Sequence, residues 1–377
     1  MSTPKESIRL SRSRKALFAG LSLLIPTLVF VVSAEAILRA MGAEPWRVRE
    51  ISIEVHPGGK FFTKHPILGY SHIPGEFEVT LRTGYTFHVT HLPNTLRITH
   101  PIEQVEEEGG TRTKEEIWIF GCSYTHGWSL NDEETYAWLL QERLPEHEIV
   151  NFGVSGYGTI HSLLQFRDAL EARTPRVALL VYAQFHDDRN TFSRSRRKRL
   201  APWNRLGPLV QPYARFDRKG ELRHSMADVV YPEFPLMRHL ALAHFIEQKY
   251  NELEARWLRS HAVSESLVEE MADLAREHGV DFIVANIQGP DEMMKFAEKN
   301  GIANVDISID DRIAENTNRP HDPHPSALAN RQFADRLEPV LRRALLGQPA
   351  ESISAVHGGG PSASRRLVHY VARQVLN

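Results

Sequence analysis

A serine directly follows a short apolar segment in the first half of the chain. Residues 117–120 are all apolar, as in a parallel strand that is buried on both faces. Gly121, Cys122 and Ser123 come next, where the carboxyl end of such a strand would border the ligand crevice of an α/β sheet. A serine hydroxyl at that edge can act as a nucleophile once a base activates it. Capping the following helix is the alternative role for Ser123.

A candidate base lies near the other end of the chain, in His321-Asp322-Pro323-His324-Pro325. His324 could take the serine proton, and Asp322 could accept a hydrogen bond from its other ring nitrogen and fix the tautomer. Residues two apart on an extended loop share a face, which suits this pair. His321 competes for either role. A metal site made by His321, Asp322 and His324 is a further alternative, but the sequence shows no other obvious ligand cluster, so we predict no metal and no cofactor.

Three segments of the chain carry a family resemblance. Residues 121–125 (Gly-Cys-Ser-Tyr-Thr) resemble the Gly-Asp-Ser-Leu block of SGNH (GDSL-type) hydrolases, with Cys122 where an Asp is usual. Residues 151–159 resemble the second block of that family, and residues 322–325 (Asp-Pro-His-Pro) resemble the last block. The blocks occur in the family order, and the resemblance covers roughly residues 116–346.

The resemblance implies a serine esterase that forms an acyl-enzyme at Ser123, with Asp322 and His324 activating the hydroxyl. The third block of the family normally supplies an Asn whose side chain donates to the oxyanion. In this chain His186 stands where that Asn is expected, after a predicted strand at 177–185. A histidine ring can also donate an N–H, so His186 could replace the Asn.

An oxyanion needs preorganised hydrogen-bond donors. We predict the backbone N–H of Ser123 as one donor and that of Gly156 as the second, because a glycine lets the backbone approach a substrate closely. Gly153 and Gly158 compete for the second position. A tight turn is the alternative reason for Gly156.

The region after residue 114 alternates apolar strand segments with helical segments. The strands are predicted at 117–121, 149–153, 177–185, 281–286 and 305–307, and the helices at 133–144, 160–172, 264–278, 291–300 and 326–346. Such alternation predicts a mostly parallel sheet with helices on both faces, which is a three-layer α/β/α sandwich of the α/β class. The resemblance implies the flavodoxin-like sheet of the SGNH hydrolase fold.

The N-terminal region contains a candidate membrane span. Residues 16–34 are uncharged and mostly apolar, which is about the length that crosses a bilayer core. Basic residues precede this run, so we predict a cytoplasmic N-terminus at 1–15 and a transmembrane signal anchor at 16–40. The alternatives are a cleaved signal peptide, since Ala34-Glu35-Ala36 resembles a cleavage site, and a buried core helix.

The remaining segments complete the predicted organisation. We predict a β-rich segment at 45–113, with a hairpin around Thr83-Gly84 and an exposed loop at 106–113. The SGNH hydrolase-like domain is predicted at 114–347 and a flexible tail at 348–377. A region rich in proline and aromatic residues, at about 186–260, is predicted to be an insertion that could cover the site. It carries a basic run that is either a solvated surface or a binding site for acidic polysaccharide or anionic lipid headgroups, formed by Arg194, Arg196, Arg197, Lys198 and Arg199.

Composition limits the possible partners. The 377-residue chain has a formal net charge of −2, which gives no overall attraction to nucleic acid, and its one cysteine excludes an intrachain disulfide. We predict a single-pass protein of a bacterial inner membrane, with its catalytic domain in the periplasm or outside the cell. Its substrate would be an O-acyl, for example O-acetyl, ester of an envelope carbohydrate or lipid. Its partners would be proteins of the envelope polysaccharide machinery. An O-acyltransferase or a catalytically impaired glycan-binding protein is the alternative.

Overall fold

The computed structural model describes residues 11–48, 53–104 and 114–348. The predicted loop at 106–113, residues 1–10 and almost all of the predicted tail lie outside the described residues. The chain divides into two compact units. Of the described residues, the first contains 11–48 and 232–252, and the second contains 53–104, 114–231 and 253–348.

The described elements alternate as the sequence pattern predicts from residue 114 onward. The helices are α1 (Arg12–Ala40), α2 (Ser123–His126), α3 (Tyr136–Arg143), α4 (Thr159–Leu170), α5 (His186–Asn190), α6 (Arg194–Leu200), α7 (Ala241–Trp257), α8 (Ser260–Glu277), α9 (Glu292–Lys299) and α10 (Ala327–Leu345). The strands are β1 (Ile53–His56), β2 (Phe62–His65), β3 (Gly69–His72), β4 (Gly75–Leu81), β5 (Thr86–His91), β6 (Glu116–Phe120), β7 (Glu148–Asn151), β8 (Val177–Ala183), β9 (Val210–Phe216), β10 (Leu222–Asp228), β11 (Asp281–Gln288) and β12 (Ala303–Asp306).

A five-stranded parallel sheet forms the centre of the second unit. Its strand order is β7-β6-β8-β11-β12, and neighbouring strands run parallel. This is the flavodoxin-like order 2-1-3-4-5, in which the ligand crevice lies where the order reverses, at the carboxyl ends of the first and third strands. The predicted three-layer α/β/α sandwich is therefore confirmed. The reversal places the crevice at the ends of β6 and β8.

Side-chain alternation along each strand builds a core on both faces of this sheet. In β6, Trp118 and Phe120 pack with apolar residues of α4, α8 and α9, whereas Ile117 and Ile119 pack with α3 and α10. Successive side chains of a strand point to opposite faces, so a strand covered on both sides must be apolar throughout. This burial explains why the sequence of β6 shows a continuous apolar run rather than alternation.

Several element boundaries differ from the prediction by a few residues, and two of the differences, at β8 and α3, have a clear local cause. Strand β8 ends at Ala183, before the predicted residue 185, because the chain turns into α5 at His186. The helix predicted at 133–144 begins as a short 3-10 turn, and α3 starts at Tyr136. Thr135 separates the two, since its hydroxyl accepts the N–H of Trp138 as a helix cap.

The β-rich segment packs on the sheet domain through a shared apolar cluster. Strands β4 and β5 form the predicted hairpin, β1 pairs with β4, and β2 pairs with β3. Val79, Phe87 and Val89 of this segment are buried together with Trp128 and Tyr157 of the sheet domain. The segment therefore covers the loops that follow β6 and β7.

A buried guanidinium joins the same two parts. Arg97 is 1% exposed and donates to the backbone carbonyls of His126, Gly127 and Leu130 in the loop after β6. Its Nε donates to Asp132 at 2.9 Å, which forms an ion pair. A buried charge is tolerated only where it is paired and fully hydrogen-bonded, so these contacts fix the loop against the β-rich segment.

The first unit contains α1, a 29-residue helix with no buried residue. Within the described residues it is the one helix long and apolar enough to span a membrane, a criterion of length and composition that an N-terminal signal sequence also meets. The carboxylate of Glu35, near the end of α1, accepts the N–H groups of Ala241 and Leu242 at the start of α7. Arg39 pairs with Glu35 at 2.6 Å, so the end of α1 caps the start of α7.

The predicted insertion contains α5, α6, the β9–β10 hairpin and α7. Its basic run forms α6, and the cations of that helix have partners inside the protein. Arg197 pairs with Glu254, and Arg199 pairs with Asp188. Arg196 is buried and donates to the loop after β7. These contacts give the run a structural role that neither sequence alternative included.

Candidate active site

The sharp turn between β6 and α2 presents Ser123. A Cβ on Gly121 would lie 2.1 Å from the Thr125 hydroxyl oxygen, so only glycine permits this close approach. Ser123 is the first residue of α2 and is 6% exposed. Because the first N–H groups of a helix have no intrahelical acceptor, the Ser123 N–H is available to a bound group.

The loop before α10 brings two of the predicted residues to this serine. Across 201 residues of sequence, the Nε2 atom of His324 lies 2.9 Å from the Ser123 hydroxyl oxygen. The Nδ1 atom of His324 lies 2.5 Å from Oδ1 of Asp322, which also accepts the His324 backbone N–H at 2.8 Å. A carboxylate bonded to Nδ1–H leaves Nε2 as the unprotonated, basic nitrogen. The three side chains thus form one hydrogen-bonded line, from the Ser123 hydroxyl through the His324 ring to the Asp322 carboxylate.

The surroundings keep the Asp322 carboxylate ionised. Burial alone would raise the pKa of Asp322, but hydrogen bonds from His324 and from the Trp128 indole hold that pKa below its usual range. The Ser129 hydroxyl lies 3.4 Å from the same carboxylate. Asn318 donates to the Ser129 hydroxyl and carbonyl oxygens, which ties this side of the site together.

The loop after β7 is held by its carbonyl groups. The Tyr70 hydroxyl donates to the carbonyl of Ser155, Arg196 donates to that of Gly156, and Arg189 donates to that of Tyr157 at 2.7 Å. Three consecutive carbonyls are therefore fixed by side chains from outside the loop. Gly156 has a φ of 90°, in the region that favours glycine, and a Cβ there would lie 2.3 Å from the Tyr70 hydroxyl.

The three glycines of this loop differ in what their N–H groups contact. The N–H of Gly153 donates to Oδ1 of Asn151, and the N–H of Gly158 donates to Nδ1 of His161. The N–H of Gly156 has no acceptor among the described residues. Of the three candidates, Gly156 is therefore the one whose N–H is free to bind an oxyanion, and its role stays a prediction.

The structure does not bring His186 to the serine. Its ring is fully buried and contacts the rings of Tyr182 and Phe185, and neither ring nitrogen has a partner. Burial holds the pKa of His186 well below its ordinary value, so the ring is neutral. Among the described residues no contact joins this ring to Ser123 or His324. The early end of β8 explains the difference, because it turns the neighbouring residue toward the site.

Phe185 and Arg189 occupy the side of the site where His186 was predicted. The Phe185 ring lies 5.5 Å from that of Tyr124, which in turn lies 5.4 Å from the His324 ring. The Arg189 guanidinium lies 4.2 Å above the Phe185 ring. The sequence analysis did not single out Arg189, which lies six residues after the end of β8.

His321 lies apart from the triad. Its ring stacks on Tyr85 at 5.2 Å, and its backbone N–H bonds to Asn318. Of the two histidines, His324 is therefore the one that contacts the Ser123 hydroxyl. In the part of the chain that the structure describes, His321, Asp322 and His324 do not form a metal cluster.

Comparisons with known proteins give weak similarities. No protein-family model matches the chain, and no curated protein matches it either. Among solved structures, TesA is 14% identical with a TM-score of 0.37 and covers 61% of this chain and 99% of its own. The psychrotrophic esterase EstA from Pseudoalteromonas sp. is 12% identical with a TM-score of 0.35, over 62% and 100% of the two chains. A putative lipolytic protein of the G-D-S-L family from Desulfitobacterium hafniense is 12% identical with a TM-score of 0.33, and the match covers 60% of this chain and 99% of that protein.

Similarities of this size assign no activity and no residue role to the chain. The resemblance to SGNH hydrolases rests on the three sequence blocks and on the flavodoxin-like sheet that carries them. The chemistry of the site therefore has to be derived from its own geometry.

The carboxylate of Asp322 should control the reactivity of Ser123. In Asp322→Asn the amide no longer holds His324 in the tautomer with a basic Nε2, so labelling of Ser123 by a fluorophosphonate should slow by about 10³–10⁴-fold. The rate of label incorporation, followed by mass spectrometry, measures the effect. His321→Ala is the matched control and should label at the normal rate, and equal rates in Asp322→Asn and the control would contradict this role.

Proposed function

We propose that this protein is a serine esterase that cleaves an O-acyl ester through an acyl-enzyme at Ser123. The observation that carries the proposal is the continuous hydrogen-bonded line from the Ser123 hydroxyl through His324 to Asp322. A serine with an adjacent base, itself oriented by a third group, is the arrangement that acyl transfer requires.

The reaction follows from this line of groups. His324 Nε2 takes the Ser123 proton while Oγ bonds to the ester carbonyl carbon, and the negative charge moves to the carbonyl oxygen. Collapse of this intermediate breaks the ester C–O bond, and the imidazolium returns the proton to the leaving alcohol. Water then enters, loses its proton to His324 and releases the acid and the free serine. Asp322 stabilises the imidazolium in both halves of the reaction.

The Ser123 and Gly156 N–H groups serve as two oxyanion donors in this proposal. Arg189 fits the third donor better than His186, because its guanidinium lies 4.2 Å over the Phe185 ring, which contacts the Tyr124 ring beside His324. A guanidinium is always charged and offers several donors, so it can follow an oxygen as charge develops on it. The early end of β8, which places Phe185 at the site, gives room for this replacement.

Acyl transfer to another alcohol is the second candidate function. It uses the same acyl-enzyme and differs only in the acceptor. Ser123 is 6% exposed and the rings of Tyr124 and Phe185 flank the triad, which restricts water at the acyl group. An O-acylated carbohydrate or lipid of the cell envelope is the substrate class we propose, since the same chain carries a candidate membrane span.

We further propose that α1 stays attached as a membrane anchor and that the catalytic domain lies in the periplasm. Glu35 caps α7 and pairs with Arg39, so residues on both sides of the possible cleavage site at 34–36 take part in one hydrogen-bonded arrangement. The basic residues before the apolar run support a cytoplasmic N-terminus.

Activity toward a small activated ester should depend on the triad. For the full-length protein in detergent, Ser123→Ala and His324→Ala should each lower the kcat for 4-nitrophenyl acetate by at least about 10³-fold, because the nucleophile and its base act as a unit. Initial rates give kcat, and His321→Ala should match the wild type.

An oligosaccharide acceptor is added in parallel, and its acylation by the wild type would favour the transferase. A folded wild type that neither hydrolyses the ester nor acylates the acceptor would contradict both functions.

Arg189 should act on the transition state rather than on substrate binding. Arg189→Ala should lower kcat by about 10²–10³-fold with little change in KM, as removal of one oxyanion donor does. The affinity of a boronic acid that mimics the tetrahedral intermediate should fall in parallel with kcat/KM. Arg199→Ala, which removes an exposed cation of the same region, is the control. A change in KM alone would show that Arg189 only holds the Tyr157 carbonyl.

The N-terminal helix should persist in the mature protein. Intact mass spectrometry of the membrane-bound protein should show a chain that retains residues 12–40, and protease added to spheroplasts should digest the catalytic domain. The positive-inside rule and the cap made by Glu35 are the physical reasons. A mature chain beginning near residue 37 would show cleavage, and protection from the protease would show the opposite orientation.

A further inference from the structure

Three buried histidines converge behind the serine, although the sequence places them in three separate segments. His72 ends β3, His91 ends β5 and His126 ends α2, three residues after Ser123. One potential ligand nitrogen from each ring lies within 4.8 Å of the other two. The rings are at most 2% exposed, and the esterase mechanism uses none of them.

Hydrogen bonding leaves three of these six ring nitrogens without a partner. The Nδ1 atom of His91 lies 3.0 Å from the carbonyl of Ile73, and because a carbonyl can only accept, this nitrogen carries the proton. The Nε2 atom of His91 then accepts the N–H of His126 Nε2 at 2.9 Å, a hydrogen bond that a metal ion would replace. Neither nitrogen of His72 has a hydrogen-bond partner, nor has Nδ1 of His126. Buried polar atoms are rarely left unpaired, so these three nitrogens are candidates for binding a ligand.

The residue types in the cluster indicate which kind of ligand it would bind. Imidazole binds a metal through a ring nitrogen that carries no proton, and the bond to the Ile73 carbonyl leaves Nε2 of His91 as such a nitrogen. The cluster contains no carboxylate, which argues against calcium and magnesium, whereas imidazole suits zinc and its neighbours. The bond from His91 to the Ile73 carbonyl is the outer contact that ligand histidines usually make.

The surroundings are compatible with a bound cation. Arg97 carries the nearest buried positive charge, but its ion pair with Asp132 compensates that charge. Phe61 contacts all three rings edge-on, at centroid distances of 5.4, 4.9 and 6.0 Å, and shields the cluster from water. Zinc–nitrogen bonds of about 2.0–2.1 Å separate ligand nitrogens by about 3.3 Å in a tetrahedron, so nitrogens that lie within 4.8 Å of one another would close by up to about 1.5 Å. The His72 and His91 rings stack at a centroid distance of 4.2 Å, so one of them would also rotate to reach the same ion.

We propose that His72, His91 and His126 bind one zinc ion, which fastens the β-rich segment to the helix that carries Ser123. Two of the ligands come from the β-rich segment and the third from α2, so the ion would link the two parts directly. Zinc has no geometric preference from its d electrons and therefore accepts this crowded set, with water or hydroxide completing the coordination. The proposal does not depend on the proposed esterase function.

The metal content of the full-length protein tests this site. The chain is expressed with added zinc, purified in detergent through a histidine-free tag and analysed by elemental mass spectrometry. We expect one zinc per chain, and replacement by Co²⁺ should give the visible bands of a tetrahedral nitrogen site. Chelation should lower the Tm by about 2–5 °C, because a ligand that binds only the folded state stabilises it.

Matched variants locate the ion. His72→Phe keeps an aromatic ring in the apolar surroundings and should reduce the zinc content at least tenfold, whereas His278→Phe, at an exposed position, should leave it unchanged. Ser123→Ala should keep its zinc while losing esterase activity, which separates this proposal from the proposed function. A folded wild type without zinc or Co²⁺ uptake would overturn the proposal, as would full zinc content in His72→Phe. If that variant does not fold, X-ray absorption spectroscopy of the zinc in the wild type gives the number of imidazole ligands. Fewer than three imidazole ligands would overturn the proposal.

Discussion

The buried guanidinium of Arg97 is the interaction on which the rest of the structure depends. It lies between the β-rich segment and the loop after β6, and it bonds to carbonyl oxygens of His126, Gly127 and Leu130 and to the carboxylate of Asp132. Without that cation, the carbonyls would be buried without donors, which costs about 1–3 kcal/mol for each unsatisfied group. The nucleophile helix and the segment that covers it are thus positioned by one charge and its partners.

In the candidate oxyanion site, as around Arg97, side-chain donors hold the backbone carbonyls of a loop in place. Side chains from outside the loop hold the carbonyls of Ser155, Gly156 and Tyr157, and the Gly156 N–H is left without a described acceptor. Preorganised donors of this kind do not have to reorient when charge develops, which is why they lower a barrier. Two of these side chains, Arg189 and Arg196, belong to α5 and α6. The inserted region therefore positions the loop of the candidate site, in addition to any role as a cover.

Long, strongly patterned elements were predictable, whereas side-chain direction at their ends was not. The apolar run of β6 and the Asp-Pro-His-Pro block located the serine and its base, because each pattern is local. His186 was misplaced because β8 ends at Ala183 and the chain turns into α5 at His186. Beyond the strand end the direction of each side chain follows the local turn and helix, which strand alternation does not predict.

The sequence by itself determined the class of fold, the candidate span and the order of the three blocks, since periodicity and composition are properties of neighbouring residues. Tertiary structure alone decided which groups meet. It paired Ser123 with His324 across 201 residues, left the Gly156 N–H without a described acceptor while those of Gly153 and Gly158 are bonded, and placed the Arg189 guanidinium over the Phe185 ring. It also assembled His72, His91 and His126, which no local pattern connects, because long-range contacts arise only when separate elements pack together.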